Sequence, residues 1–140
     1  VDKFVGDLIM AIFGAPETYG DDALNASRCA LEMIEEREKL NRISHYKIEV
    51  GIGVASGPAL AGNMGSSNRL NYTVLGERVN LAARLCSKAG RNEVVIDQTT
   101  RDRSTGRIQV LPLERLALKG FSEPVQAYQL LGAQPRSPDL

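Results

Sequence analysis

The chain carries no surplus of charge. Seventeen Lys and Arg residues balance seventeen Asp and Glu residues over 140 positions. That excludes a broad basic field for a nucleic-acid backbone or an anionic membrane surface, so any anion site must be local. Cysteine is scarce. Cys29 and Cys86 are the only two, and both fall in helical patterns. They read as small buried thiols of a reducing compartment, not as a disulfide framework. No apolar run approaches membrane-spanning length, and the N-terminus lacks the shape of a signal peptide. The expected location is therefore cytoplasmic, with no direct membrane insertion by this segment. The single histidine, His45, lies in a polar stretch, which leaves no obvious general base. Internal repeats and low-complexity tracts are absent.

What remains is the composition of an ordinary globular domain, 43% hydrophobic and 24% charged, long enough for one real core. Strand-like runs over residues 1–5 and 8–13 flank a Gly6-Asp7 turn and predict a hairpin. A helix is expected from Asp21 or Asp22, whose carboxylates suit its N-terminus. Ala23, Leu24, Ala26, Ala30, Leu31, Met33 and Ile34 give that helix a broad apolar face. A strand over 47–55 contains Gly51 and Gly53, which allow close backbone approach, and 58–63 reads as its return partner. The stretch 64–71 is polar and reads as a projecting arm. A strand over 72–75, a helix over 77–89 and a strand over 93–96 follow, with a short helical turn from Asp97. Strands over 108–118 and 125–131 close the pattern around a Lys119-Gly120 turn. Strands interleaved with two good helices predict an α/β sandwich of α+β type, one sheet with helices packed on one face.

The chemistry concentrates in residues 71–84, Asn-Tyr-Thr-Val-Leu-Gly-Glu-Arg-Val-Asn-Leu-Ala-Ala-Arg. Asn80 and Arg84 sit four apart on a helix and so share one face. An amide and a guanidinium held on one rigid face suit an oxyanion such as a phosphate. Alone, such a pair is usually just a solvated helix face. Asp7 stands at a hairpin tip, where a carboxylate suits a hard divalent ion, although Asp is common in turns for backbone reasons. Lys3 lies four residues earlier, on the same side of an extended strand. Lys119 fits ordinary turn chemistry equally well.

Taken together the segments resemble one family. Val-Asp-Lys-Phe-Val-Gly-Asp-Leu-Ile-Met-Ala-Ile-Phe-Gly (1–14) is similar to the metal-binding hairpin of class III nucleotidyl cyclase catalytic domains. Val-Gly-Ile-Gly-Val-Ala-Ser-Gly (50–57) resembles their central strand, and residues 72–85 their catalytic strand and helix. Leu-Lys-Gly (118–120), followed by Pro-Val-Gln-Ala-Tyr-Gln-Leu (124–130), resembles their C-terminal hairpin. Four motifs in register are far more specific than one. The resemblance implies a ferredoxin-like fold with a mixed, mostly antiparallel sheet whose first strand is missing here. It implies that Asp7 binds metal, two Mg²⁺ or Mn²⁺ ions serving each site. Asn80 and Arg84 would steady the ribose and the pentavalent phosphorus, Lys119 the terminal phosphates, and Lys3 and Thr73 would read the base. A Lys ammonium donates to adenine N1 and a Thr hydroxyl accepts from N6, whereas guanine presents the opposite pattern. The pair therefore points to adenylate cyclase, of the bacterial-type subgroup with Thr at this position. The substrate would be ATP, and the sites would be shared across a head-to-tail homodimer.

Three departures from the family pattern stand out. A second metal aspartate would precede Val1, so 1–132 reads as an N-terminally truncated domain, inactive or nearly so alone. Residues 133–140 read as a tail or linker. Glu77 replaces the usual Asp, and Glu49 stands where relatives carry a basic residue, with Arg69 a candidate to compensate. An attached regulatory domain is expected outside this chain. A guanylate cyclase, a pseudo-cyclase serving as a regulatory dimerisation module, and an unrelated ferredoxin-like nucleotide binder stay open as alternatives.

Overall fold

The computed structural model describes residues 3–5, 8–14, 18, 20–58, 60–64 and 71–134. Strands β1 (Lys3–Val5) and β2 (Leu8–Met10) form an antiparallel hairpin in which Val5 pairs with Leu8. Helix α1 (Asp22–Ile43) follows, then β3 (Gly51–Val54), β4 (Leu60–Met64) and β5 (Asn71–Leu75). Helix α2 (Glu77–Lys88), β6 (Glu93–Asp97), the short α3 (Gln98–Arg103), β7 (Ile108–Pro112) and β8 (Ala127–Ala133) complete the order.

The main sheet has the order β3-β6-β8-β7. It is mixed and mostly antiparallel, with only β3 and β6 parallel. The α+β class expected from the pattern holds. Two details differ. The segment expected to return along β3 pairs with β5 instead, in a separate two-stranded ladder running from Leu60–Leu75 to Met64–Asn71. And the helices cover both faces of the sheet, not one. Side chains of a strand alternate between faces. Val94 and Ile96 of β6 pack with Ala30 and Ile34 of α1, whereas Val95 packs with Leu81 and Leu85 of α2. The unbroken apolar run Val94–Ile96 within β6 is the mark of a strand covered twice.

Alternation also explains the glycines of β3. Ile52 and Val54 face α1, while Gly51 and Gly53 face α2. A Cβ added at Gly53 would lie 2.3 Å from the Ala82 carbonyl oxygen and 2.4 Å from the Cys86 amide nitrogen. Helix backbone therefore rests directly on strand backbone. The Cys86 thiol, on the same side, donates to the Gly51 carbonyl at 3.2 Å. Both cysteines are free and half-buried.

Helix α1 starts at Asp22, as its first-turn carboxylate suggests. Asp21 does not cap it with its side chain; that carboxylate accepts from Arg107 at 2.8 Å. Buried positions end at Ile34, and the C-terminal half of the helix is solvated. Asn41 then clips the connection to β3, donating to the Ile48 carbonyl at 2.7 Å and accepting from the Ile48 amide at 2.9 Å. Of the last two strands β7 is shorter than expected, and β8 keeps its expected length but lies two residues further on. β7 stops at Pro112, and one isolated bridge, Leu116–Val125, carries the pairing towards the Lys119 turn. The expected arm lies largely outside the described residues, as do the Gly6-Asp7 turn and the tail beyond residue 134.

Two measurements test the seating of α2. Gly53→Ala should lower the unfolding free energy by at least about 2 kcal/mol, because its new methyl meets backbone that cannot rotate away; a denaturation midpoint equal to wild type would refute the close approach. Burial holds the Cys86 thiol above its ordinary pKa. Its alkylation at pH 8 should therefore be slow in the native protein and fast in denaturant, and equal rates by mass spectrometry would show α2 unseated.

Candidate active site

Helix α2 carries Asn80 and Arg84, and the segment leading into the Lys119 turn packs against it. Strand β5 ends at Leu75, and Gly76 turns the chain into the helix at φ 141° and ψ 172°, a region open in practice only to glycine. Leu81 and Leu85 are buried against Val95, Leu118 and Ala127. Burying five such side chains anchors the helix firmly, at about 1.5–3 kcal/mol for each large one. Asn80 and Arg84 stand on the neighbouring stripe, each one position before a buried leucine. Asn80 is exposed and Arg84 half-buried.

Their polar groups are unspent. Among the described residues, neither the Asn80 amide nor the Arg84 guanidinium has an ion-pair or hydrogen-bond partner. The same holds for the ammonium of Lys119. That residue is exposed in a turn closed by the Phe121 amide donating to the Leu118 carbonyl at 3.1 Å. Leu118 packs in the same cluster as Leu81 and Leu85, so the Lys119 turn is rooted beside α2. Two cations and an amide without protein partners, on elements sharing one core cluster, can receive an anionic ligand.

The base-reading candidates are placed only by backbone. Thr73 lies in the middle of β5, paired with Gly62, and Lys3 opens β1, paired with Met10. Asp7 lies outside the described residues, and so does Arg69. Among the described residues no group of three His, Cys, Asp or Glu side chains could hold a metal ion. The hard carboxylate of Asp7 suits Mg²⁺ or Mn²⁺ but is a single ligand of the several such an ion takes. Glu49 is committed elsewhere, to an ion pair with Arg91 at 2.9 Å. His45 is exposed in the bend after α1.

Sequence reasoning missed one cluster. Arg78, in the first turn of α2, donates to the buried carboxylate of Asp97 at 3.2 Å. The signal was available in part. Asp97 begins a helical turn, and the Thr100 amide three residues on is where an N-cap acceptor binds, here at 2.9 Å.

The model of the adenylate and guanylate cyclase catalytic domain matches residues 3–132. The adenylyl cyclase CyaB from Pseudomonas aeruginosa superposes with a TM-score of 0.84 at 35% identity, covering 99% of this chain and 73% of that one. The guanylyl cyclase Cya2 superposes at 0.85 with 34% identity, covering 94% and 69%. A terminal-differentiation-specific adenylate cyclase of Dictyostelium discoideum is 32% identical over 96% of this chain. An uncharacterised protein of Mycobacterium tuberculosis is 35% identical over 90%. The chain spans only 7% and 23% of those two relatives' lengths. No helix among the described residues is long and apolar enough to cross a membrane. With the four motifs in register, the fold and the matched span in agreement, the chain belongs to the adenylate and guanylate cyclase catalytic domain family.

Proposed function

We propose that this domain converts ATP to 3′,5′-cyclic AMP and pyrophosphate. The observation that carries the reading is the unspent donor pair of α2, Asn80 and Arg84, beside the Lys119 turn. The 3′-hydroxyl oxygen attacks the α-phosphorus and gives up its proton to water, a new O–P bond forms, and the bond to the bridging oxygen breaks as pyrophosphate leaves. Asn80 orients the ribose. Arg84 donates to the α-phosphoryl oxygens as their charge grows, where preorganised donors contribute most. Lys119 holds the terminal phosphates. Asp7 would supply one carboxylate to the Mg²⁺ or Mn²⁺ ions, whose chemistry when bound is to activate the hydroxyl and neutralise triphosphate charge.

Lys3 and Thr73 select the base, by donation to adenine N1 and acceptance from N6. The relatives include both adenylyl and guanylyl cyclases, so the fold does not decide the base; in this reading the two side chains do. The active unit in this reading is a head-to-tail dimer, with Asp7 of one subunit facing Thr73, Asn80 and Arg84 of the other. A regulatory domain elsewhere in the full chain would modulate it.

In the full chain that carries this domain, Arg84→Ala and Asn80→Ala should each cut kcat by roughly 10²–10³, the scale for losing one oxyanion donor. Near-normal turnover in Arg84→Ala would sink its role. Asp7→Ala should abolish metal-dependent turnover.

Base selection has its own test. Wild type should prefer ATP to GTP in kcat/KM, because a pocket built for one edge leaves polar groups unpaired against the other. Lys3→Glu combined with Thr73→Cys should erode that preference, since Glu accepts from guanine N1–H. A wild type that uses GTP equally well, or a double variant with an unchanged ratio, would remove these residues from base reading.

A further inference from the structure

Strands β4 and β5 form a ladder of their own, hydrogen-bonded to no strand of the main sheet among the described residues. A lone two-stranded ladder is weakly stable and takes its orientation from its ends. Both ends here converge on one buried carboxylate. Asp97, 1% exposed at the end of β6, accepts from the Thr100 amide through Oδ1 at 2.9 Å. Its Oδ2 accepts from Arg78 Nη1 at 3.2 Å and from the Ser56 amide at 3.4 Å. Ser56 stands just before the β4–β5 excursion and Arg78 just after it. The Ser56 and Thr100 hydroxyls share a further bond at 2.7 Å. The Arg78 stem also lies against Gly57, where an added Cβ would come within 2.8 Å of Arg78 Cγ.

As an N-cap Asp97 needs one oxygen. The second oxygen is what joins the exit from β3 to the first turn of α2, and the three donors offset the cost of burying the charge. We propose that Asp97 is a positioning residue that acts through Arg78 and Ser56. The clasp closes residues 57–77 at their roots and holds Thr73 of β5 in fixed relation to Asn80 and Arg84 of α2. Its catalytic consequence rests on the cyclase reading above; the clasp itself does not.

The test uses Asp97→Asn, Arg78→Ala and Arg78→Lys in the full chain. Two readouts are taken together: hydrogen exchange of amides in 60–64 and 71–80, and steady-state kinetics with ATP and GTP. In Asp97→Asn and Arg78→Ala, exchange in those segments should rise about tenfold while β6 and β8 stay protected, the pattern of a local opening. With the better nucleotide, kcat should fall about tenfold and KM should change less. Arg78→Lys should recover most of the loss, because an ammonium still donates to Asp97. Unchanged exchange in both variants would overturn the clasp. Faster exchange throughout the sheet would reduce Asp97 to a general stabiliser and overturn its positioning role. Local opening with unchanged kcat would also overturn that role. Wild type inert towards both nucleotides would defeat the cyclase reading alone, and the exchange data would still decide the clasp.

Discussion

The site depends on one contact, the seating of α2 on the glycine side of β3. With no side chain at Gly53, the helix backbone at Ala82 and Cys86 comes as close to the strand as atoms allow. That fixes the depth of the helix. Its rotation is fixed by Leu81 and Leu85, which enter the core with Val95, Leu118 and Ala127. Successive residues of an α-helix are turned by about 100°. Asn80 and Arg84 each precede one of those leucines, so burying the leucine stripe sets the direction of the donor stripe beside it. The apolar core thus aims two polar groups that make no side-chain hydrogen bond or ion pair of their own among the described residues.

Strand β6 links this arrangement to the rest of the domain. Its even-numbered residues Val94 and Ile96 serve the α1 core, and Val95 serves the α2 core. Asp97 is the next residue after Ile96 in the alternation and falls on the α2 side, where its carboxylate meets Arg78. A single strand therefore supplies both cores and then the polar knot at the α2 end. Helix α1 supplies mass on the far face, and the ion pair of Asp21 with Arg107 ties its start to the residue preceding β7.

Much of the fold was legible in the sequence because the signals were local. The strand run over 72–75, the helical pattern over 77–89 and the paired runs about Gly6-Asp7 each act over a few residues, and each gave the right element. Pairing was less legible, because it depends on distant partners. The segment after β3 pairs with β5, and β3 pairs with β6, partners that no local pattern names. The placement of helices on both faces was written in the Gly-Ile-Gly-Val alternation of β3 and the unbroken apolar run of β6, but only as a two-sided pattern. Asn80, Arg84 and Lys119 could be named from sequence because family motifs mark them. The Arg78–Asp97 pair could not, since nothing in either segment specifies that residues 78 and 97 meet.

The two arginines of α2 show how a chain of zero net charge can still present a cationic site. Arg78 faces a buried carboxylate, and its charge is used in holding that group. Arg84, six residues on, has no carboxylate among the described residues to answer it. Six residues turn an α-helix by about 600°, that is by roughly 240° in the plane, so the two guanidiniums leave the helix in different directions. One arginine can be neutralised for structure without discharging the other. A guanidinium can stabilise charge that develops during a reaction only if no resident anion has already claimed it. Burying Asp97 beside Arg78 keeps that carboxylate engaged, and Arg84 makes no ion pair among the described residues.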